Sequence, residues 1–289
     1  MGKGNCASFI PARLRSKLLS EQCFSEAYEK VSARQRAWLK SCIAALHLTA
    51  RASSGVETVA RNRIHGFDLI IKDEPYAWAV LAIDPGSSPS QALAALLPMI
   101  CGRIPEIVVV SSPAQTLPPV LITAFELAGQ ENILLLDQNS FNSFKGRSPR
   151  SKCGLWVDLR SGSDSCFVQP EFGQMTLWRP NMKRRLGLWS DKTAWDFAAV
   201  MLSAGLWPVE IWGSPGSDLP DGNFIRRQGP FTSFLRQNYG AVYVPQGRVP
   251  LAQEVFDLVL QPGCEGCWLW PELRQGIFAR VGYSLGSEN

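Results

Sequence analysis

The sequence predicts an α/β fold: a Rossmann-like parallel sheet with flanking helices, behind a helical N-terminal lead-in. Three observations carry this. Residues 77 to 83 form a near-continuous apolar run, the pattern of a strand covered on both faces. Two further apolar runs follow, at 106 to 111 and 133 to 136. Between the runs lie segments that begin at proline and stop at glycine, Pro89 to Gly102 and Pro118 to Gly129, which is the punctuation of helices. Strands alternating with helices imply parallel pairing and right-handed crossovers.

In order along the chain, residues 13 to 49 read as helical. Leu14, Leu18 and Leu19, then Trp38, Cys42, Ile43, Ala45 and Leu46, recur at three- and four-residue spacing. Residues 50 to 75 are polar and irregular, with Arg51, Arg61, Arg63 and Lys72, and residues 67 to 71 make a short edge strand. The α/β run from 77 to 136 follows. Residues 138 to 176 break it with serine, glycine, asparagine and a basic run at 145 to 152, so a loop or domain boundary is expected there. Beyond it, Asp191 caps a helix over 192 to 203, with strands at 209 to 212, 241 to 245 and 277 to 283 and helices at 231 to 238 and 250 to 260. The expected divisions are a helical segment at 1–50, a Rossmann-like core at 51–145, and a second α/β portion at 146–289 that can complete the same fold.

Composition narrows the function classes. With 289 residues, 46% hydrophobic, 19% charged and a mean hydropathy of -0.03, the chain has the make-up of a globular protein and none of the bias of a disordered or fibrous one. A net charge of +4 is too small to argue for nucleic acid. No apolar run reaches the roughly 18 residues of a membrane span, and the N-terminus has no hydrophobic signal core, so the expectation is a cytoplasmic protein with no membrane partner. Eight scattered cysteines do not make a secreted disulfide framework and read mostly as buried free thiols. Cys264 and Cys267 form the only close pair, half of a zinc site or a redox dithiol. With no second such pair and only His47 and His65 as histidines, four tetrahedral ligands do not assemble, and no metal is expected. Most of the ten tryptophans fall between Trp178 and Trp270, as core packing or as the lining of a cleft or partner surface.

The sharpest functional signal is the loop after the first strand of the α/β run, residues 84 to 90, where α/β proteins hold phosphate-bearing ligands. The expected cleft lies at the carboxyl ends of the strands, where this loop faces those starting at Ser111 and Asp137. Its candidate ligand-binding residues are Asp84, Pro85, Gly86, Ser87, Ser88 and Ser90, together with Ser111, Asp137, Gln138 and Asn139. Ser87, Ser88 and Ser90 supply donors, whereas Asp84 disfavours a phosphate and suits a ribose hydroxyl or a cation. Weaker signals are the turn at 213 to 217 and the basic groups Arg179 with Lys183, Arg184 and Arg185, and Arg226 with Arg227. A solvated face is the default reading of such groups.

Residues 39 to 144 resemble the cofactor-binding half of histidinol dehydrogenases, members of the aldehyde dehydrogenase-like (ALDH-like) superfamily. The resemblance rests on the strand running into Asp84-Pro85-Gly86-Ser87-Ser88-Pro89, a small-residue helix to Gly102, Ile104 to Pro113, Pro119 to Gly129, and Asn132 to Leu136. It implies NAD or NADP as cofactor and a homodimer. Several family features have no counterpart. An aromatic residue before the Pro-Gly turn is replaced by Ile83-Asp84, and a glycine-rich pattern after the third strand by residues 137 to 141. No histidine follows His65 to serve as base or zinc ligand. A thioester mechanism needs a cysteine facing the nicotinamide; Cys153 and Cys166 lie in the right region of the chain but in no nucleophile motif. No catalytic residue is assigned. The expectation is a divergent relative without histidinol dehydrogenase activity, a module for a small molecule, a nucleotide or a protein partner. The alternative is an NAD(P)-dependent oxidoreductase acting on an aldehyde or alcohol.

Overall fold

The computed structural model describes residues 10–50, 58–64, 67–113, 116–137, 139–140, 144, 153–160, 175–191, 194–214, 222–273 and 277–287. A 3-10 turn (Ala12–Lys17) and helices α1 (Glu21–Lys30) and α2 (Ala33–Ala50) open the chain. The helical lead-in read from 13 to 49 is thus three pieces. Leu18 leaves the helical line at ψ 143° to make an antiparallel bridge to Leu134, which covers the outer edge of the first sheet.

That first sheet contains β3 (Trp78–Ala82), β4 (Ile107–Ser111), β5 (Ile133–Leu135), β6 (Gly154–Asp158) and β7 (Met175–Trp178), all parallel, in the order β5-β4-β3-β6-β7. Every residue of β3 and β4 is buried, as their unbroken apolar runs demand. Helices α3 (Pro89–Cys101) and α4 (Pro119–Leu127) connect β3 to β4 and β4 to β5, each starting at a proline. The three parallel strands and two covering helices expected over 77 to 136 are therefore present. The loop read at 138 to 176 also holds β6, which pairs with β3 from Trp78↔Gly154 to Ala82↔Asp158. Only a close approach explains its first residue: a Cβ on Gly154 would lie 2.1 Å from the Trp78 indole.

The second sheet repeats the winding. It contains β8 (Leu186–Ser190), β9 (Val209–Gly213), β10 (Phe224–Arg226), β11 (Ala241–Tyr243) and β12 (Val259–Leu260), parallel, in the order β10-β9-β8-β11-β12. In each sheet the first strand is central, two follow on one side and two on the other, although the sequence shows no internal repeat. Helix α5 (Phe197–Ala204) joins β8 to β9. Asp196 caps it, accepting from the Ala199 amide at 3.2 Å, so the expected cap at Asp191 gives way to a carboxylate five residues on. Short helices α6 (Phe231–Leu235) and α7 (Val249–Gln253) complete the unit, and the helix read over 250 to 260 ends early to leave room for β12.

Residues 50 to 75, read as irregular with one short strand, contain β1 (Thr58–Ile64) and β2 (Phe67–Pro75). Together with β13 (Ala279–Ser287) they make an antiparallel sheet of order β1-β2-β13. Three apolar clusters order the layers. The outer face of the first sheet (Val80, Val108, Leu134) buries Ile10 and Leu14 of the N-terminal segment. The outer face of the second packs Trp189, Phe234 and Phe256. Between the sheets one continuous cluster takes in Leu81 and Val109 of the first, Leu188 and Tyr243 of the second, and helices α2 to α5 between them.

Candidate functional site at the switch point of the first sheet

Strand order reverses between β3 and β6, so the loops leaving their carboxyl ends diverge and open a crevice, the usual ligand position in a doubly wound sheet. On the β3 side stands a closed turn. The Ser87 amide donates to the Asp84 carbonyl at 3.0 Å, the Asp84 amide to Ser87 Oγ at 3.1 Å, and Ser87 Oγ to Asp84 Oδ1 at 3.1 Å. On the β6 side Asp158 ends its strand 5% exposed, with its carboxylate shared between two arginines. Arg160 donates from Nε at 2.7 Å and Nη2 at 2.8 Å, and Arg179, just past β7, from Nε at 3.1 Å. Burial pushes the Asp158 carboxyl up, and the Arg160 and Arg179 hydrogen bonds and charges outweigh it, so its pKa falls below the usual carboxylate value. The Arg160 side chain is 12% exposed and that of Arg179 54%, so Arg179 faces solvent at this edge, as does Arg184, which donates to the Arg160 carbonyl at 2.9 Å.

The candidates from the sequence divide into those at the edge and those sealed beneath it. Asp84, Pro85, Gly86 and Ser87 are half-buried at the crevice. A Cβ on Gly86 would meet Leu206, beyond the end of α5, at 2.5 Å, so the second unit presses on this turn. Ser88 and Ser90 are 2% and 0% exposed, and their hydroxyls point into the inter-sheet core: Ser88 Oγ donates to the Leu202 carbonyl at 2.9 Å and Ser90 Oγ to the Gly266 carbonyl at 2.6 Å. Gln91 follows suit, its Nε2 donating to the Ser203 carbonyl at 3.0 Å. The start of α3 is thus bonded to the second unit. Ser111 ends β4 3% exposed, its hydroxyl without a hydrogen-bond partner among the described residues. Asp137 is exposed and caps the turn after β5, accepting from the Ser140 amide at 2.8 Å, which with Lys17 nearby lowers its pKa. Asn139 is exposed on that turn, and Gln138 lies outside the described residues.

Other candidates fall elsewhere. Cys153 precedes β6, at the amino end of the sheet and opposite the crevice, while Cys166, His65 and residues 215 to 217 lie outside the described residues. His47 is exposed on α2, its Nδ1 3.4 Å from Cys101 Sγ at the far end of α3. Of the basic groups, Arg179, Lys183, Arg184, Arg226 and Arg227 are exposed, as a solvated face requires, and Arg185 and Arg227 in addition clamp Glu210. Trp178, Trp207, Trp268 and Trp270 pack edge-to-face at centroid distances of 5.5 to 6.3 Å within the core. A groove of about 740 Å³, bordered by Leu18, Phe24, Tyr28, Glu126 and Glu131, opens at the amino end of β5, away from the crevice. Among the described residues no three histidine, cysteine or acidic side chains gather as metal ligands, and no helix is long and apolar enough to cross a membrane. Sequence reasoning missed Asp158 and Arg160. The signal was an apolar run, Leu155-Trp156-Val157, closed by an acid and a base two residues apart, hidden in a segment otherwise rich in turn residues.

Two doubly wound parallel sheets sharing one core, with an antiparallel arm, make an ALDH-like α/β fold. Solved structures bear this out at the level of fold. Histidinol dehydrogenase from Elizabethkingia anophelis superposes with a TM-score of 0.61 at 10% identity, covering 95% of this chain and 78% of that one. Betaine aldehyde dehydrogenase from Staphylococcus aureus does so at 0.51 and 10% identity, covering 91% and 81%. Succinate-semialdehyde dehydrogenase from Burkholderia pseudomallei gives 0.50 and 10%, covering 88% and 78%. The sequence matches no protein-family model and no curated protein.

Proposed function

We propose that this protein is a ligand-binding module on an ALDH-like fold, without histidinol dehydrogenase activity, that takes a small anion or nucleotide at the β3–β6 crevice. One observation carries the reading: Arg160 and Arg179 both donate to the Asp158 carboxylate at the switch point, which sets two guanidinium groups at the same edge as the Asp84–Ser87 turn. The Arg179 guanidinium supplies paired donors to a phosphate or carboxylate, and Ser87 and Asp84 supply polar contacts to a sugar or head group. An oxidoreductase needs a nucleophile or base at this edge, and Cys153 stands at the opposite end of its strand. Resemblance of fold alone does not supply an activity.

Support for a second copy of the chain as partner comes from β13. It is an outer strand, and its alternate residues Val281, Tyr283 and Leu285 are 39%, 71% and 68% exposed, an apolar ridge beside an open edge.

The test is thermal unfolding with and without NAD(H), NADP(H), ATP and inorganic pyrophosphate. A ligand at 100 times its Kd stabilises the fold by about 2.7 kcal/mol. Arg179→Gln should weaken binding about tenfold, the loss of roughly one charge-assisted contact. If no anion shifts the transition, or Arg179→Gln binds as the parent does, the crevice is not the site. Oxidation of histidinol with NAD above a boiled control would overturn the other half.

A further inference from the structure

Three free thiols from distant parts of the chain meet where the two sheets join. Cys264 and Cys267 lie on the turn after β12, and Cys42 on α2. The turn is closed by its own backbone: the Cys264 amide donates to the Gln261 carbonyl and the Cys267 amide to the Cys264 carbonyl, both at 3.0 Å. It is also pinned from three sides. Ser90 Oγ at the start of α3 donates to the Gly266 carbonyl at 2.6 Å, Ser203 Oγ of α5 donates to the Glu265 carbonyl at 2.6 Å, and a Cβ on Gly266 would stand 3.3 Å from Trp38 of α2. Glu265 turns inward, 6% exposed, and accepts from the Gly263 amide at 2.7 Å. The three thiols are graded in access: Cys264 is exposed, Cys267 half-buried, and Cys42 fully buried behind it.

Their protonation follows from their contacts. Cys42 and Cys264 are the neighbours that draw Cys267 below the ordinary thiol value, Cys42 having the larger effect, against the opposing pull of burial and Glu265. Cys42 is pushed well above that value, by its neighbour Cys267 first and by burial second, so it keeps its proton. Burial also raises Cys264, with Cys267 and Glu265 adding to it. Tyr243 is the other titratable group on this cluster, and burial keeps it neutral. Of the three thiols, Cys267 is the one drawn towards the thiolate, and it stands one turn from an exposed thiol.

We propose that Cys264 and Cys267 are a redox-active dithiol that reduces a hydroperoxide, with Cys42 as the residue that positions and stabilises the attacking sulfur. The Cys267 thiolate attacks the terminal oxygen of the hydroperoxide, the O–O bond breaks, and the alkoxide takes a proton and leaves as an alcohol. This gives a sulfenic acid on Cys267. Cys264 then gives up its proton and its sulfur attacks that of Cys267, forming the S–S bond as the S–O bond breaks and water departs. Two thiols and one hydroperoxide thus become one disulfide, one alcohol and one water. An external dithiol returns the pair to its reduced state. A turn with one backbone bond from Cys267 to Cys264 holds the two Cα atoms within about 7 Å, the outer limit of the span a disulfide bridges.

The fully reduced chain is treated with stoichiometric hydrogen peroxide or cumene hydroperoxide, then counted for thiols and mapped by mass spectrometry. The expected result is the loss of two thiols, a disulfide between Cys264 and Cys267, and full recovery with dithiothreitol. In the Cys264→Ser chain, altered at an exposed position, oxidation should stop at a dimedone-trappable sulfenic acid on Cys267. Cys267→Ser should give neither product. Cys42→Ala should move the pH profile for iodoacetamide alkylation of Cys267 upward, a change that a merely structural role would not cause. The proposal fails if peroxide leaves the two thiols intact, if it carries Cys264 to the sulfinic acid with no disulfide, or if the purified chain holds one zinc that Cys264→Ser removes.

Discussion

Glu210 is 2% exposed on β9 and accepts from Arg185 at 2.7 and 2.9 Å, from Arg227 at 2.9 and 3.1 Å, and from the Tyr239 hydroxyl at 2.9 Å. Burial alone would raise its pKa; the two arginines and the tyrosine outweigh it and hold it at about 2, against an ordinary 4.5. A carboxylate depressed on folding stabilises the fold above its unfolded pKa and loses that contribution as the pH falls towards the folded value. The contribution, on the order of 3 kcal/mol, should therefore be complete above pH about 5 and lost towards pH 2. Urea midpoints across that range should show the loss, and Glu210→Gln should flatten it while costing about 3 kcal/mol at neutral pH. At the crevice, Asp84→Asn keeps an oxygen for the Ser87 hydroxyl and removes one negative charge. Pyrophosphate should then bind more tightly by about 0.3 to 1 kcal/mol, the scale of one charge near a helix N-terminus, and calorimetry showing equal or weaker binding would count against the site.

At the scale of elements, Ser88 is where a residue chosen for ligand binding from the sequence serves the fold in the structure. Its Oγ accepts from the Gln91 amide at 3.3 Å as the cap of α3 and donates to the Leu202 carbonyl of α5. Ser88→Ala should cost about 1 to 2 kcal/mol, a lost cap plus an orphaned carbonyl, read as a lower denaturant midpoint at unchanged slope. In β6, Gly154→Ala would drive a methyl into Trp78, which is 3% exposed and has little room to shift. Overpacking of this kind costs about 1 to 3 kcal/mol, and an unchanged melting temperature would mean that β3 and β6 are not in the Trp78↔Gly154 register.

For the whole molecule, the decisive feature is the single apolar cluster that runs from Leu81 to Leu188 through α2, α3 and α5. Neither sheet keeps its inner face covered without the other. Unfolding should therefore be one cooperative transition despite the length of 289 residues, with tryptophan fluorescence and far-ultraviolet circular dichroism tracing the same curve. Separate transitions would show that the sheets are independent units. In solution, Tyr283→Lys and Leu285→Lys together should shift light-scattering mass from dimer to monomer, and a parent already monomeric would remove β13 as the contact.

The segment from Trp78 to Leu135 was legible in the sequence because everything it needs is local. Apolar runs such as 77 to 83 admit only strands buried on both faces, and Pro89 and Pro118 open helices that Gly102 and Gly129 close. The arm was legible only in fragments, at 67 to 71 and 277 to 283, because β1 and β2 lack a regular alternation, Arg61-Asn62-Arg63 standing in one and Leu69-Ile70-Ile71 beside Lys72-Asp73-Glu74 in the other, and β2 draws its second partner from β13 at the other end of the chain. Likewise β6 is a short run whose identity as a strand depends on the side of β3 left open after β4 and β5 have paired. That choice of side made the crevice and put Asp158, Arg160 and Arg179 there. The approach of α2 to the Cys264–Cys267 turn, and the turning of Ser88 and Ser90 away from the crevice, were settled by the docking of the two sheets. Sequence spacing carries local geometry, and contacts between distant segments exist only once the apolar faces of both sheets are buried against each other.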